Sequence, residues 1–223
     1  MEMPDQILRI GYAGSLKGHR PGSEHVPGWR KTVDWIWTFR NRNLQHHTRS
    51  GYYLLKGVQE FKKRHPELTD RLQIRLWGLI DPINKEQVEQ FDIGELVEID
   101  GYFSKPESAA RLAECDLLFL PLETSDDPLF IPGKVFDYLR IGKPVLVLGP
   151  ESDCTRILDR AGLGLRRDPE DTAGIAETLA TLVEQKNELP ERYQADTDYI
   201  ENTFHFQHLA KRMADVFEEV LNS

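Results

Sequence analysis

The run Pro132-Gly133-Lys134-Val135-Phe136-Asp137, continued by Tyr138 to Pro144, holds the residue types best spaced to do chemistry. Pro132 and Gly133 open a helix, and N–H groups at a helix start, helped by the helix dipole, attract an anion. Gly133 has no Cβ, so a ligand oxygen can approach the backbone closely. Lys134 adds a mobile positive charge. Asp137, one turn further on, can point back toward the same ligand and accept hydroxyl hydrogen bonds, as acidic residues do for a ribose. Gly142 closes the helix in the left-handed conformation and Pro144 blocks its continuation. The same pattern also describes a well-capped crossover helix with a solvated lysine and aspartate, and periodicity alone favours that reading.

Other spacings carry less. Asp196-Thr197-Asp198 is an acidic pair of the kind that holds a metal after an apolar strand, but here it sits in a polar helical tail and reads as solvated. His205 and His208 share a helix face without the cysteine or carboxylate that completes a metal site. His46-His47 in a polar loop reads as solvent-exposed. Gly11-x-x-Gly14 lacks the Gly-Lys-Ser/Thr of a phosphate loop, and Gly162-x-Gly164 comes too late in the chain for a dinucleotide fingerprint. No Gly-x-Ser-x-Gly elbow is present, and carboxylates paired for glycoside hydrolysis are not evident.

The elements that must position these residues alternate along the chain. Strands are expected at 7–13, 72–77, 96–99, 116–121, 145–148 and 163–165. Helices are expected at 54–65, 85–91, 107–113, 134–140, 155–161, 172–184 and 205–221. Leu117-Leu118-Phe119-Leu120 is continuously apolar, which means burial on both faces, and strands separated by helices imply parallel crossovers. The expectation is an α/β, doubly wound parallel sheet of Rossmann-like type, forming a single domain over 1–223. In such a sheet ligands bind beyond the carboxyl ends of the strands. The loops to watch are therefore 14–20, 78–84, 101–106, 122–134 and 149–153. An aromatic and basic insertion at about 18–50 carries Trp29, Trp35, Trp37 and Phe39 beside Arg30, Lys31, Arg40, Arg42 and Arg49. A loop of that length is usually functional or disordered. A helical tail at about 191–223 contains no strand and is placed to brace another domain.

Composition narrows the function classes. The chain has 223 residues, 39% of them hydrophobic, which suits one domain with a sizeable core. Its formal charge of -9 argues against nucleic acid and against a polybasic membrane anchor. Two cysteines, Cys115 and Cys154, make no disulfide framework, so a cytoplasmic setting is the default. No apolar run is long enough to span a bilayer, and the first six residues do not resemble a signal peptide.

Residues 132–144, read together with the rest of the chain, resemble the signature of retaining glycosyltransferases of the GT-B type, family 4 (group 1). Residues 10–16 resemble that family's opening strand and phosphate loop, and 97–103 its strand and Gly-Tyr loop. Residues 113–121 resemble its buried Ala-Asp-apolar-Pro strand, and Ala161-Gly162-Leu163-Gly164 its later glycine turn. Residues 205–221 resemble the final helix that leans back on the first domain. The match excludes about 18–49. It implies the nucleotide-sugar-binding, C-terminal half of a GT-B enzyme, with a nucleoside diphosphate sugar as donor and no cofactor or metal. By the resemblance, Gly14 and Ser15 approach the diphosphate or sugar, and Tyr102 and Phe103 flank the base. Pro132, Gly133 and Val135 form the helix-start cradle, Lys134 neutralises the diphosphate, and Asp137 holds the ribose. Lys17 and Arg20 are its candidates for a second phosphate contact. Lys134 and Asp137 are the expected catalytic pair. The family's Glu-x7-Glu pair is broken: its second member falls at Asp137, but the first falls at Leu129, which has no acid group. The resemblance also implies a missing N-terminal acceptor domain, without which this half is inactive, and it allows a peripheral place at a membrane. Two other readings share the fold: a non-catalytic nucleotide-binding or interaction module, and a GT-B-like sugar epimerase.

Overall fold

The computed structural model describes residues 6–21, 46–124 and 131–221. Most of the aromatic insertion, including Trp29, Trp35 and Trp37, lies outside the described residues, as does Leu129. Six strands form one sheet: β1 (Leu8–Leu16), β2 (Leu72–Ile80), β3 (Val97–Asp100), β4 (Leu117–Pro121), β5 (Val145–Leu148) and β6 (Gly164–Arg167). All neighbours pair in parallel, in the order β3-β2-β1-β4-β5-β6. Among the described residues the helices are α1 (Tyr52–Arg64), α2 (Pro82–Gln90), α3 (Lys105–Ala113), α4 (Lys134–Ile141), α5 (Asp153–Arg160), α6 (Thr172–Glu184), a single turn α7 (Leu189–Arg192), α8 (Thr197–Phe204) and α9 (Phe206–Leu221).

The two-residue period of a strand divides the core. Leu117 and Phe119 of β4, with Leu146 and Leu148 of β5, face one side and meet α1 and α6. Leu118, Leu120, Val145 and Val147 face the other and meet Val135, Tyr138 and Leu139 of α4 and Leu158 of α5. Burial on both faces explains why these strands read as unbroken apolar runs. Helix starts are set by local chemistry. Asp81 caps α2, accepting from Ile83 N at 2.9 Å. Ser104 and Glu107 form a capping box at α3, with Pro106 in its first turn. Gly142, at φ 71°, ends α4.

The sheet departs from the sequence expectation where β1 and β2 meet their glycines. Both strands continue past Gly14 and Gly78, and the pairing runs on through Gly14↔Gly78 to Leu16↔Ile80. The two glycines have φ of 139° and 111°, a region that L side chains avoid. A Cβ on Gly78 would lie 2.5 Å from the Gly14 carbonyl oxygen. Glycine in a strand thus marks close backbone approach here, not the end of the strand. The closing helix expected at 205–221 is α9, and a further helix, α8, precedes it, the two being separated by His205 in an extended conformation. No helix among the described residues is long and apolar enough to cross a membrane.

Candidate functional site

β1 and β4 are neighbours whose following strands, β2 and β5, lie on opposite sides. This is the switch point of a doubly wound sheet, where a crevice opens beyond the strand ends. A cleft of about 870 Å³ occupies it, walled by Gly14 and Ser15 of β1, Gly78 of β2, Tyr102 and Phe103 after β3, and one side of α3 and of α4 along their lengths. A second cavity of about 460 Å³ is lined by Tyr12, Arg49, Pro121, Pro132 and Gly133. Lys134 and Asp137 belong to the walls of both.

The Lys134 side chain fills the space that a side chain on Gly14 would occupy. A Cβ built there would come within 2.7 Å of Lys134 Cε and nearer still to Nζ. The missing side chain at Gly14 is therefore what admits the ammonium to the strand end. Lys134 Nζ also stands 5.2 Å from the centre of the Tyr12 ring. Burial pushes the Tyr12 phenol up to about 12, so it stays neutral and donates to the Ser15 carbonyl at 2.6 Å. Burial lowers the Lys134 pKa from its usual value, the Arg49 guanidinium lowers it further, and Asp137 works against both. The helix beneath is anchored by Tyr138, wholly buried, whose O–H donates to the Phe119 carbonyl of β4 at 3.0 Å. At the mouth of α4, the amides of Val135 and Phe136 bond to the carbonyls of Pro132 and Gly133 at 3.0 and 3.2 Å. That places the amides of Gly133 and Lys134 at the open end, the arrangement that receives an anion.

At the far end of the larger cleft the Gly101 carbonyl accepts from Gly78 N at 3.0 Å, which pins the loop after β3 to β2. Tyr102 stands on the rim with 76% of its surface exposed, an aromatic face open to stacking. Phe103 is half-buried under the Arg111 guanidinium, 3.8 Å from its ring centre. Lys105, the first residue of α3, pairs with Asp137 Oδ1 at 3.2 Å and so bridges the cleft mouth.

The structure brings Gly14, Ser15, Tyr102, Phe103, Lys134 and Asp137 to one cleft, and Pro132 and Gly133 to the adjoining cavity. Val135 is wholly buried on the inner face of α4 and packs in the core. Lys17 and Arg20 are in neither wall. Lys17 bridges Ser50, and Arg20 is ion-paired with Glu86 of α2. The cause is the extension of β1 to Leu16, which carries the following residues past the cleft. Arg49 stands where a second cation was sought. It ends the 3-10 turn His46–Arg49, and its neighbour Thr48 accepts from Thr124 N at 2.8 Å, tying that turn to the chain after β4. In the sequence Arg49 is one of several basic residues in the insertion, with no motif to single it out. Lys105 had only its place in the loop beyond β3. His47, expected to be exposed, is half-buried, with Nδ1 2.8 Å from the Tyr53 hydroxyl. Asp196 caps α8, accepting from Tyr199 N at 2.8 Å. Among the described residues no three His, Cys, Asp or Glu side chains come together in a way that could hold a metal.

No family model matches this sequence, and no curated protein matches it. Solved structures do. Anabaena HepE in complex with UDP superposes with a TM-score of 0.61 at 15% identity, covering 96% of this chain and 49% of that one. A glycosyltransferase from Rickettsia africae gives 0.60 at 11% identity, covering 98% and 49%. The pneumococcal O-GlcNAc transferase GtfA, in complex with UDP and GlcNAc, gives 0.55 at 14% identity, covering 98% and 37%. This chain therefore spans about half the length of HepE and of the Rickettsia enzyme. At such identities the likeness establishes the fold: a six-stranded parallel α/β sheet of Rossmann-like type, as in the GT-B glycosyltransferases.

Proposed function

We propose that this chain is the donor-binding half of a retaining glycosyltransferase, holding a nucleoside diphosphate sugar between β1 and α4. The observation that carries the reading is the seating of Lys134 on Gly14 at the sheet's switch point. A half-buried ammonium whose pKa is lowered by burial and by Arg49 lacks a full counter-charge, and a diphosphate supplies one. The α4 start adds amides, and Arg49 adds a second cation across the smaller cavity. Tyr102 and Phe103 then flank the base, Asp137 meets the ribose, and the sugar lies toward Gly133 and Arg49. When the glycosidic bond breaks, negative charge grows on the leaving diphosphate. Lys134 and the helix-start amides stabilise it there, as preorganised donors. HepE has been solved with UDP and with UDP-glucose, so UDP is the first nucleotide to try.

The acceptor belongs to a second, N-terminal domain. Two observations support this part. The chain spans about half of HepE, and α9 exposes an apolar stripe that its own sheet leaves uncovered. Retention rests on the resemblance of residues 132–144, and the anomeric configuration of a product would check it. The binding reading is tested by calorimetry with UDP, GDP and ADP. We expect at least one to bind, with Lys134→Ala weakening it about ten- to a hundredfold, the range of a charge-assisted contact. No binding to any of the three, or affinity unchanged in Lys134→Ala, counts against the proposal.

A further inference from the structure

Asp137 does not stand alone at the cleft. Its Oδ1 is held at 3.2 Å by Lys105 Nζ, from the helix on the opposite wall, and both residues line the larger cleft. The pair is unequal: the Lys105 side chain is 80% exposed and that of Asp137 is 41% exposed. The lysine therefore reaches in from solvent to the carboxylate. Its backbone is well placed to do so. Ser104 caps α3, accepting from Glu107 N, and Glu107 accepts in return from Ser104 N at 2.9 Å, so the first turn of the helix is fixed. Asp137 is fixed in turn by the anchoring of α4 through Tyr138. Two rigid helix starts thus face each other, joined by one ion pair.

A carboxylate has two oxygens, and one occupied by an ammonium leaves the other to accept hydroxyl hydrogen bonds. An ammonium on Asp137 also offsets the repulsion between that carboxylate and a diphosphate seated on Lys134 a turn away. We infer that Lys105 is a positioning residue: it orients Asp137 so that the free oxygen receives the ribose hydroxyls, making the cleft select ribonucleotides. The inference rests on the donor-binding reading given above, and it assigns to that site a selectivity determinant from the opposite wall.

The test compares affinities for UDP and for 2′,3′-dideoxy-UDP, using the full chain and calorimetry. Exposed ion pairs are individually weak, so the expected change is modest. In Lys105→Met the preference for UDP over the dideoxy nucleotide falls roughly three- to fivefold, the range set by such a pair. Lys105→Arg restores the preference, because a guanidinium can hold the same oxygen. In an Asp137→Asn background, Lys105→Met has no further effect on the ratio. A ratio unchanged in Lys105→Met, while UDP still binds and is lost in Lys134→Ala, overturns this inference and leaves the donor reading standing. An effect of Lys105→Met that persists in Asp137→Asn also overturns it, because the lysine would then act directly on the nucleotide. Failure of the wild-type chain to bind any nucleoside diphosphate removes both.

Discussion

Lys134 carries the site, and its environment makes a measurable prediction without any ligand. Its pKa is lowered, first by burial and then by Arg49. Between that lowered value and the ordinary 10.5, the unfolded chain binds more protons at this position than the folded one does. Stability therefore rises with pH across that window. Below it both states are protonated, and the folded state carries the full penalty. Lys134→Met has no such term. Against this variant, the wild type should gain thermal stability as pH approaches 10.5, by on the order of 1 °C after solvent screening. Thermal melts of both proteins from pH 7 upward check it. A constant difference would mean that the lysine is not under electrostatic strain. Gly14 is the other half of the contact. Its φ of 139° and the lysine lying where a Cβ would go mean that Gly14→Ala is strained and displaces the ammonium together. We expect a loss of about 1–3 kcal/mol in unfolding free energy, with nucleotide affinity reduced along with it. Chemical denaturation and calorimetry on one preparation would show both. Full stability with full affinity would disconnect the glycine from the lysine's seat.

At the scale of elements, much of the fold was legible because it is local. β5 and α6 fall on the expected residues 145–148 and 172–184, where apolar runs and a polar N-cap leave little choice. The signature at 132–144 was legible for the same reason, since its proline, glycines, lysine and aspartate all belong to one helix and its ends. What was not legible depends on partners distant in sequence. Gly14 looks like a terminator until Gly78 is placed in register beside it, and that register is a property of the sheet. The expectation that Lys17 and Arg20 meet a phosphate inherited that shortened strand. Arg49 lies 85 positions before Lys134, and only the crossing of the 3-10 turn with the chain after β4, through Thr48 and Thr124, brings it to the same cavity. Lys105 is separated from Asp137 by a strand and by the loop before α4, and the resemblance names the aspartate without naming what holds it.

The molecule as a whole ends in a contradiction that its own core does not resolve. α8 packs on the second core cluster through Tyr199, Ile200 and Phe204, and Phe204 meets Phe136 of α4 at 5.5 Å between ring centres. α9 does not follow it. Phe206, Leu209, Met213 and Val216 recur at intervals of three or four, with Phe217 beside Val216 and four residues after Met213, so they line one face of the helix, and all are exposed. The residues between them, among them Lys211, Arg212, Asp215 and Glu218, are of mixed charge, which suits a solvated back and does not favour an anionic lipid surface. A stripe so regular is the face of a helix that lies against something apolar. Since the chain spans about half of HepE, the acceptor domain proposed above is the occupant we assign to it. If the stripe is unpartnered in this chain, replacing its middle must leave the domain's stability alone. Met213→Ser together with Phe217→Ser should shift the melting temperature by less than about 2 °C, as surface substitutions do. Binding of a hydrophobic dye to the folded chain should fall at the same time, because the largest exposed apolar groups have gone. A drop of several degrees would place those side chains in this domain's own core and leave the acceptor domain nothing to cover.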